Sequence, residues 1–133
     1  MITISLDTAK KIQFVDVTEK IEHELRQKNI VSGNVCLHVP HTTAAITINE
    51  NYDPAVIHDL LMIIDRLIPA KANYLHGEGN SAAHIKSSLF GISLNVMFEK
   101  GKLKLGQWQG LFFCEFDGPR TREIWCWVTP ILG

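Results

Sequence analysis

The chain has 133 residues, with 13 Lys+Arg against 14 Asp+Glu and a formal net charge of −1. This length suits one domain, taken as residues 1–133, and buries roughly two-thirds of the unfolded surface without disulfide staples. With 46% hydrophobic and 20% charged residues, against about 25% charged in an ordinary soluble domain, the composition excludes intrinsic disorder and points to apolar surface for subunit contacts.

A charge near zero argues against a nucleic-acid partner, which needs a basic stripe to displace counterions. The densest basic stretch, residues 100–104, reads as a hairpin tip. The longest apolar run, residues 60–64, falls far short of the ~18 residues of a membrane span. The N-terminus lacks the cationic start and apolar core of a signal peptide. Cys36, Cys114 and Cys126 are an odd count without paired spacing, each among apolar neighbours. They predict buried free thiols and a reducing, cytoplasmic setting.

Ile2, Ile4 and Leu6 alternate with Thr3 and Ser5, and Ile12 and Phe14 resume a period of two, so two strands open the chain. Thr18 is the expected N-cap of a short amphipathic helix carrying Ile21 and Leu25 and ending near Lys28. A strand follows from Gly33 to Val39, and another alternates over residues 45–49. Asp53 and Pro54 then open the clearest helix, with a stripe of Val56, Leu60, Ile63, Ile64 and Leu67 stopped by Pro69. After a loop of about a dozen residues, Ser81 is the expected cap of a short helix closed by Gly91. The rest reads as two hairpins, one around Lys100-Gly101, the other pairing residues 107–116 with 122–128 around Asp117-Gly118-Pro119-Arg120. About seven strands and three helices in mixed order predict an α+β fold with a mostly antiparallel sheet.

Three stretches hold polar residues that core packing does not demand. In the first, His41-Thr42-Thr43 leads to Asn49-Glu50-Asn51 and Asp53; extended backbone would put His41, Thr43, Thr47 and Asn49 on one face. The plain alternative is a half-buried histidine beside strand-favouring threonines. In the second, His76-Gly77-Glu78-Gly79-Asn80 precedes His84 and Lys86, a flexible loop whose amides and helix start suit an anion, or else an ordinary glycine-rich connection. The third runs from Gln107-Trp108-Gln109-Gly110 to Glu115, Asp117, Arg120 and Arg122. Gln109 is costly there if buried without a partner. The guanidinium of Arg120 either grips phosphate or pairs with Glu115 or Asp117. His41, His76 and His84 supply three imidazoles from separate segments, an arrangement known from catalytic metal sites though without local zinc-finger spacing. His23 and His58 read as solvated and His38 as a core or interface residue. No nucleophile elbow and no Walker or dinucleotide fingerprint appears.

Taken together, His41-Thr42-Thr43-Ala44, His76-Gly77-Glu78-Gly79-Asn80 with Ala83-His84, and Gly106-Gln107-Trp108-Gln109-Gly110 with Glu115-Phe116-Asp117-Gly118-Pro119-Arg120 resemble the YjbQ family, UPF0047, across nearly the whole chain. Many relatives carry Thr where this chain has Gln107. The resemblance implies an antiparallel β-sandwich with about three helices, assembled as a homotrimer with sites near subunit boundaries. It also implies a divalent metal, zinc foremost, on His41, His76 and His84. Nickel, cobalt and iron accept the same ligands. Members are similar to a protein linked to thiamine-phosphate synthase activity, in which a hydroxymethylpyrimidine diphosphate joins a thiazole phosphate and pyrophosphate leaves. On that expectation Arg120 steadies the departing charge, while Lys86, Gly79, Asn80 and Gln109 hold phosphate. Glu50 or Asp117 orients a ligand, and Trp108 either stacks on the pyrimidine or belongs to the core. A non-catalytic metal- or anion-binding module and a metal-assisted phosphohydrolase use the same residues.

Overall fold

The computed structural model describes residues 1–131; the last two residues of the expected domain lie outside it. Eleven elements follow in the order β1 (Ile2–Asp7), β2 (Gln13–Asp16), α1 (Thr18–Gln27), β3 (Gly33–His38), β4 (Ala44–Glu50), α2 (Pro54–Leu67), α3 (Ser81–Phe90), β5 (Ser93–Glu99), β6 (Lys102–Leu103), β7 (Gln109–Glu115) and β8 (Thr121–Thr129). They make an α+β fold with three helices and two antiparallel sheets. One sheet runs β1-β8-β3-β5-β6 and the other β2-β7-β4.

Alternation in the strands explains the core. Ile4, Leu6, Val35, Leu37, Phe98 and Ile124 of the larger sheet meet Ile46, Leu111 and Phe113 of the smaller one, with Ile21 and Leu25 of α1, in one cluster. The opposite face of the smaller sheet carries a second cluster, Ala45, Cys114 and Phe116, covered by Ala83 and Phe90 of α3 with Phe14. Phe14 meets Phe90 edge to face at 5.7 Å. None of the helices is long and apolar enough to cross a membrane. All three cysteines are free, Cys114 and Cys126 fully buried and Cys36 half-buried.

The structure corrects three expectations. Residues 107–116 and 122–128 do not form a hairpin: β7 pairs with β2 and β4, whereas β8 pairs with β1 and β3. Both faces of β7 are covered, so it reads as the unbroken apolar run Leu-Phe-Phe-Cys of a central strand. The chain then changes sheets through the Asp117–Arg120 turn. A side chain at Gly118 would lie 2.3 Å from the Lys10 carbonyl oxygen and 2.8 Å from Glu115 Cγ, so only glycine fits that crossing.

Thr18 is the first helical residue instead of the N-cap, which is Val17. Its hydroxyl accepts from the Leu111 amide at 2.8 Å and ties α1 to β7, while Asp16 Oδ1 accepts from the Thr18 amide at 2.9 Å. Ser81 likewise opens α3 from inside, with Asn80 at the cap position making no side-chain cap bond. By contrast Asp53 caps α2 through a 2.9 Å bond from the Ala55 amide, with Pro54 behind it as its sequence predicts. The apolar stripe of α2 nevertheless buries none of its residues; Ile63 is 44% and Leu67 71% exposed.

Candidate functional site

Four chain segments converge where β3 hands over to β4, β7 leaves for β8 and α3 begins. They enclose a cleft of about 420 Å³ lined by Pro40, His41, Thr42, Thr43, His76, Glu78, Asn80, His84, Arg120 and Arg122. The three histidines picked from sequence therefore share one cavity, joined by Asn80 and Arg120.

Under the cleft lies a buried ion pair. Glu115 is fully buried and its carboxylate accepts from Arg122 Nε at 2.9 and 3.1 Å and from Arg122 Nη2 in a shorter contact. Thr8 Oγ1 donates to it at 2.7 Å, and the amides of Phe116 and Asp117 at 3.1 and 3.2 Å. Burial by itself raises the Glu115 pKa, but the hydrogen bonds from Arg122, Thr8 and the Asp117 amide, together with the Arg122 charge, hold it below the ordinary value. Arg122 Nη2 also donates to Thr43 Oγ1 at 2.8 Å. All of these bonds run through Nε and Nη2. Nη1 carries none among the described residues; Arg122 is 4% exposed and lines the cleft.

Arg120 occupies the rim. Its Nε donates to the Asp117 carbonyl at 2.7 Å and its Nη2 to Asp117 Oδ2 at 3.1 Å. Asn80 Nδ2 donates to the same carboxylate oxygen at 2.9 Å. Burial would raise the Asp117 pKa, but the bonds from Asn80 and Arg120 and the charges of Arg120 and Lys11 outweigh it and lower it. Asn80 Oδ1 is buried without a partner, the one such side-chain atom among the described residues.

The imidazoles divide in two. His76 and His84 meet edge to face with ring centres 5.2 Å apart, and Glu78 Oε2 lies 4.0 Å from His76 Nε2. Two imidazoles on a tetrahedral cation, each nitrogen about 2.0–2.1 Å from it, put their ring centres about 5 Å apart, a spacing this pair matches. His41 has a protein partner of its own. Its Nε2 accepts from the Glu123 amide at 2.9 Å, which spends that lone pair and leaves the proton of the neutral ring on Nδ1. Burial, then the charge of Arg122, lowers its pKa against the opposing Glu123 and Glu115 carboxylates. Among the described residues no three His, Cys, Asp or Glu side chains are grouped to hold a cation. The three expected histidines thus share the cleft without being grouped around one point.

The remaining expected residues lie elsewhere. Glu50, Gln109 and Trp108 line a separate cavity at the opposite end of the β4–β7 pair, about 20 Å away along six strand steps. Glu50 accepts from the Asp53 amide at 3.3 Å, and exposed Gln109 accepts from the Gly106 amide at 2.7 Å, so it closes a turn. Trp108 is 55% exposed and not a core residue. Lys86 is buried with its ammonium 6.0 Å from the Phe116 ring and lines neither histidine cavity. Gly79, with φ +78, shapes the loop and does not line the cleft. Sequence reading left Arg122 and Glu115 without roles in the site. A signal existed: Arg122 shares the inward face of β8 with Ile124 and Cys126, and an arginine on an apolar face needs a buried partner.

Architecture and cavity together define an α+β protein with a cleft lined by three histidines and two ion-paired arginines. The model of the UPF0047 protein YjbQ-like family matches residues 2–130, and the chain belongs to that family. A UPF0047 protein of Methanocaldococcus jannaschii is 49% identical over 120 residues, covering 90% of this chain and 87% of the relative. YugU of Bacillus subtilis is 49% identical, covering 92% and 94%. A crystal structure of a YjbQ/UPF0047-family protein from Clostridium acetobutylicum superposes with a TM-score of 0.91 at 46% identity, covering 97% of this chain and 100% of that one. A conserved protein from Thermus thermophilus does so with 0.91 at 42% identity and the same coverage.

Proposed function

We propose that the cleft binds the phosphoryl group of a small molecule and that the protein is an enzyme acting on it, with thiamine-phosphate synthesis as the named activity. One observation carries this reading: Arg122 lines the cleft with its guanidinium fixed by Glu115 and Thr43, and its Nη1 has no hydrogen-bond partner among the described residues. Such a group is held rigid before any ligand arrives and is suited to phosphoryl oxygens. His41 adds a neutral Nδ1–H donor, and Arg120 steadies charge at the rim where a leaving group meets water. A divalent cation would be held by His76 and His84 and would supply Lewis-acid polarisation of the phosphoryl group.

The unburied stripe of α2 supports assembly as a homotrimer, and the shared apolar cluster supports a sandwich of the two sheets. A cytoplasmic location fits three free thiols. The test is calorimetry with inorganic phosphate and pyrophosphate, followed by the condensation of the two thiamine precursors on metal-loaded protein. Binding with turnover supports the named activity. Phosphate release from simple esters without condensation replaces it with a phosphohydrolase, and binding without either reaction replaces it with a non-catalytic module. No binding of either anion overturns the reading.

A further inference from the structure

Beside the first cleft lies a second cavity of about 460 Å³, lined by His41, Thr42, His84, Ser87, Ser88, Gly91 and Ile92. His41, Thr42 and His84 line both, so they form a common wall. The chemistry on the far side differs. Beyond that wall the second cavity has no carboxylate, ammonium or guanidinium. Its hydroxyl protons are spent within the protein, Ser87 on the Ala44 carbonyl at 2.6 Å and Ser88 on the His84 carbonyl at 3.0 Å. Part of the backbone is spent as well. The Gly91 amide donates to Ser87 O at 3.0 Å, and the carbonyls of Gly91 and Ile92 accept from Ile46 and Val39 at 3.1 and 2.7 Å. What faces the space is the half-covered Ile92 side chain, 39% exposed, and the bare Gly91 backbone.

The side chains of the far side are thus satisfied and give a charged or hydroxyl-rich group there little in exchange for its water, whereas covering an apolar one is favourable. The polar groups still free, on Thr42, His41 and His84, belong to the common wall. The cavity's volume lies within the usual ~300–1,000 Å³ range of small-molecule pockets. We propose that the second cavity is the subsite for the uncharged organic body of a phosphate monoester, whose phosphoryl group sits across the wall against Arg122. This rests on the phosphoryl reading above and narrows it. The ligand is an ester of a compact, flat organic group, and the body of a sugar phosphate is disfavoured there. The ester oxygen then lies beside His41 and His84.

The full-length protein is titrated by calorimetry with inorganic phosphate, glycerol phosphate and phenyl phosphate. Phenyl phosphate is expected to bind about tenfold or more tighter than the other two, from the ring area it buries. Ser88→Trp, at an exposed position on the cavity edge, fills the space. It is expected to cut the ratio of phenyl phosphate to inorganic phosphate affinity about tenfold, and Ile92→Ser to reduce it in the same direction. Equal affinity for the three ligands in the parent protein, or an unchanged ratio in Ser88→Trp, overturns the subsite while the phosphoryl reading stands. Failure to bind inorganic phosphate at all overturns both.

Discussion

Replacing Glu115 by glutamine tests the ion pair on which the cleft is built. The change keeps shape and removes one charge. Every group around the carboxylate is a donor: Arg122 Nε and Nη2, Thr8 Oγ1 and the amides of Phe116 and Asp117. A glutamine NH₂ therefore points at donors whichever way it is turned, and Arg122 keeps an uncompensated charge at 4% exposure. Breaking a buried pair from one side costs about 3–5 kcal/mol, a large part of a total near 5–15 kcal/mol. With a urea m-value of about 1–3 kcal/mol per molar, the unfolding midpoint falls by about 1 M or more. In Glu115→Gln with Arg122→Met the loss is smaller than the sum of the two single losses, by about 1 kcal/mol or more. A midpoint shift under about 0.3 M, or strict additivity, refutes the argument that Glu115 holds Arg122 in place.

Acid sensitivity follows from three depressed groups, His41, Glu115 and Asp117. Each binds protons less readily folded than unfolded, so their stabilisation is complete above the unfolded pKa and is lost as pH falls. The urea midpoint should decline below about pH 6.5 through the histidine and more steeply below about pH 4 through the carboxylates; a midpoint that stays flat or rises on acidification contradicts this. Lys86→Met keeps the apolar stem and removes the ammonium of a residue that is 3% exposed and has no salt bridge among the described residues. Melting should rise by about 3–5 °C, corresponding to about 1 kcal/mol, and a fall in melting temperature shows that the ammonium is paired. Ile63→Asp on the half-covered stripe of α2 should convert the proposed homotrimer to monomers in sedimentation velocity without unfolding them; a parent protein that already sediments as a monomer overturns the proposed assembly, and an unchanged coefficient removes α2 from its interface.

Local chemistry was legible wherever a short segment decides its own conformation. Period-two alternation marked β1 and β4, Asp53-Pro54 marked the start of α2, Lys100-Gly101 marked its hairpin turn, and Gly91 marked the end of α3. The three histidines and Arg120 were recognisable because each interrupts a pattern that packing alone would favour. What sequence could not settle is which strand lies beside which. Hydrogen bonds between strands join residues far apart in the chain, so the adjacency of β7 and β8 in sequence was mistaken for adjacency in a sheet. The same long-range choice brings Arg122 of one sheet onto Glu115 of the other and sends Glu50 and Gln109 to the far end. It also turns the Glu123 amide onto His41, a single contact that fixes which nitrogen of that ring carries the proton. Side-chain identity follows from the chain alone, but a tautomer, a buried charge pair and a shared wall between two cavities are properties of neighbours that only tertiary packing supplies.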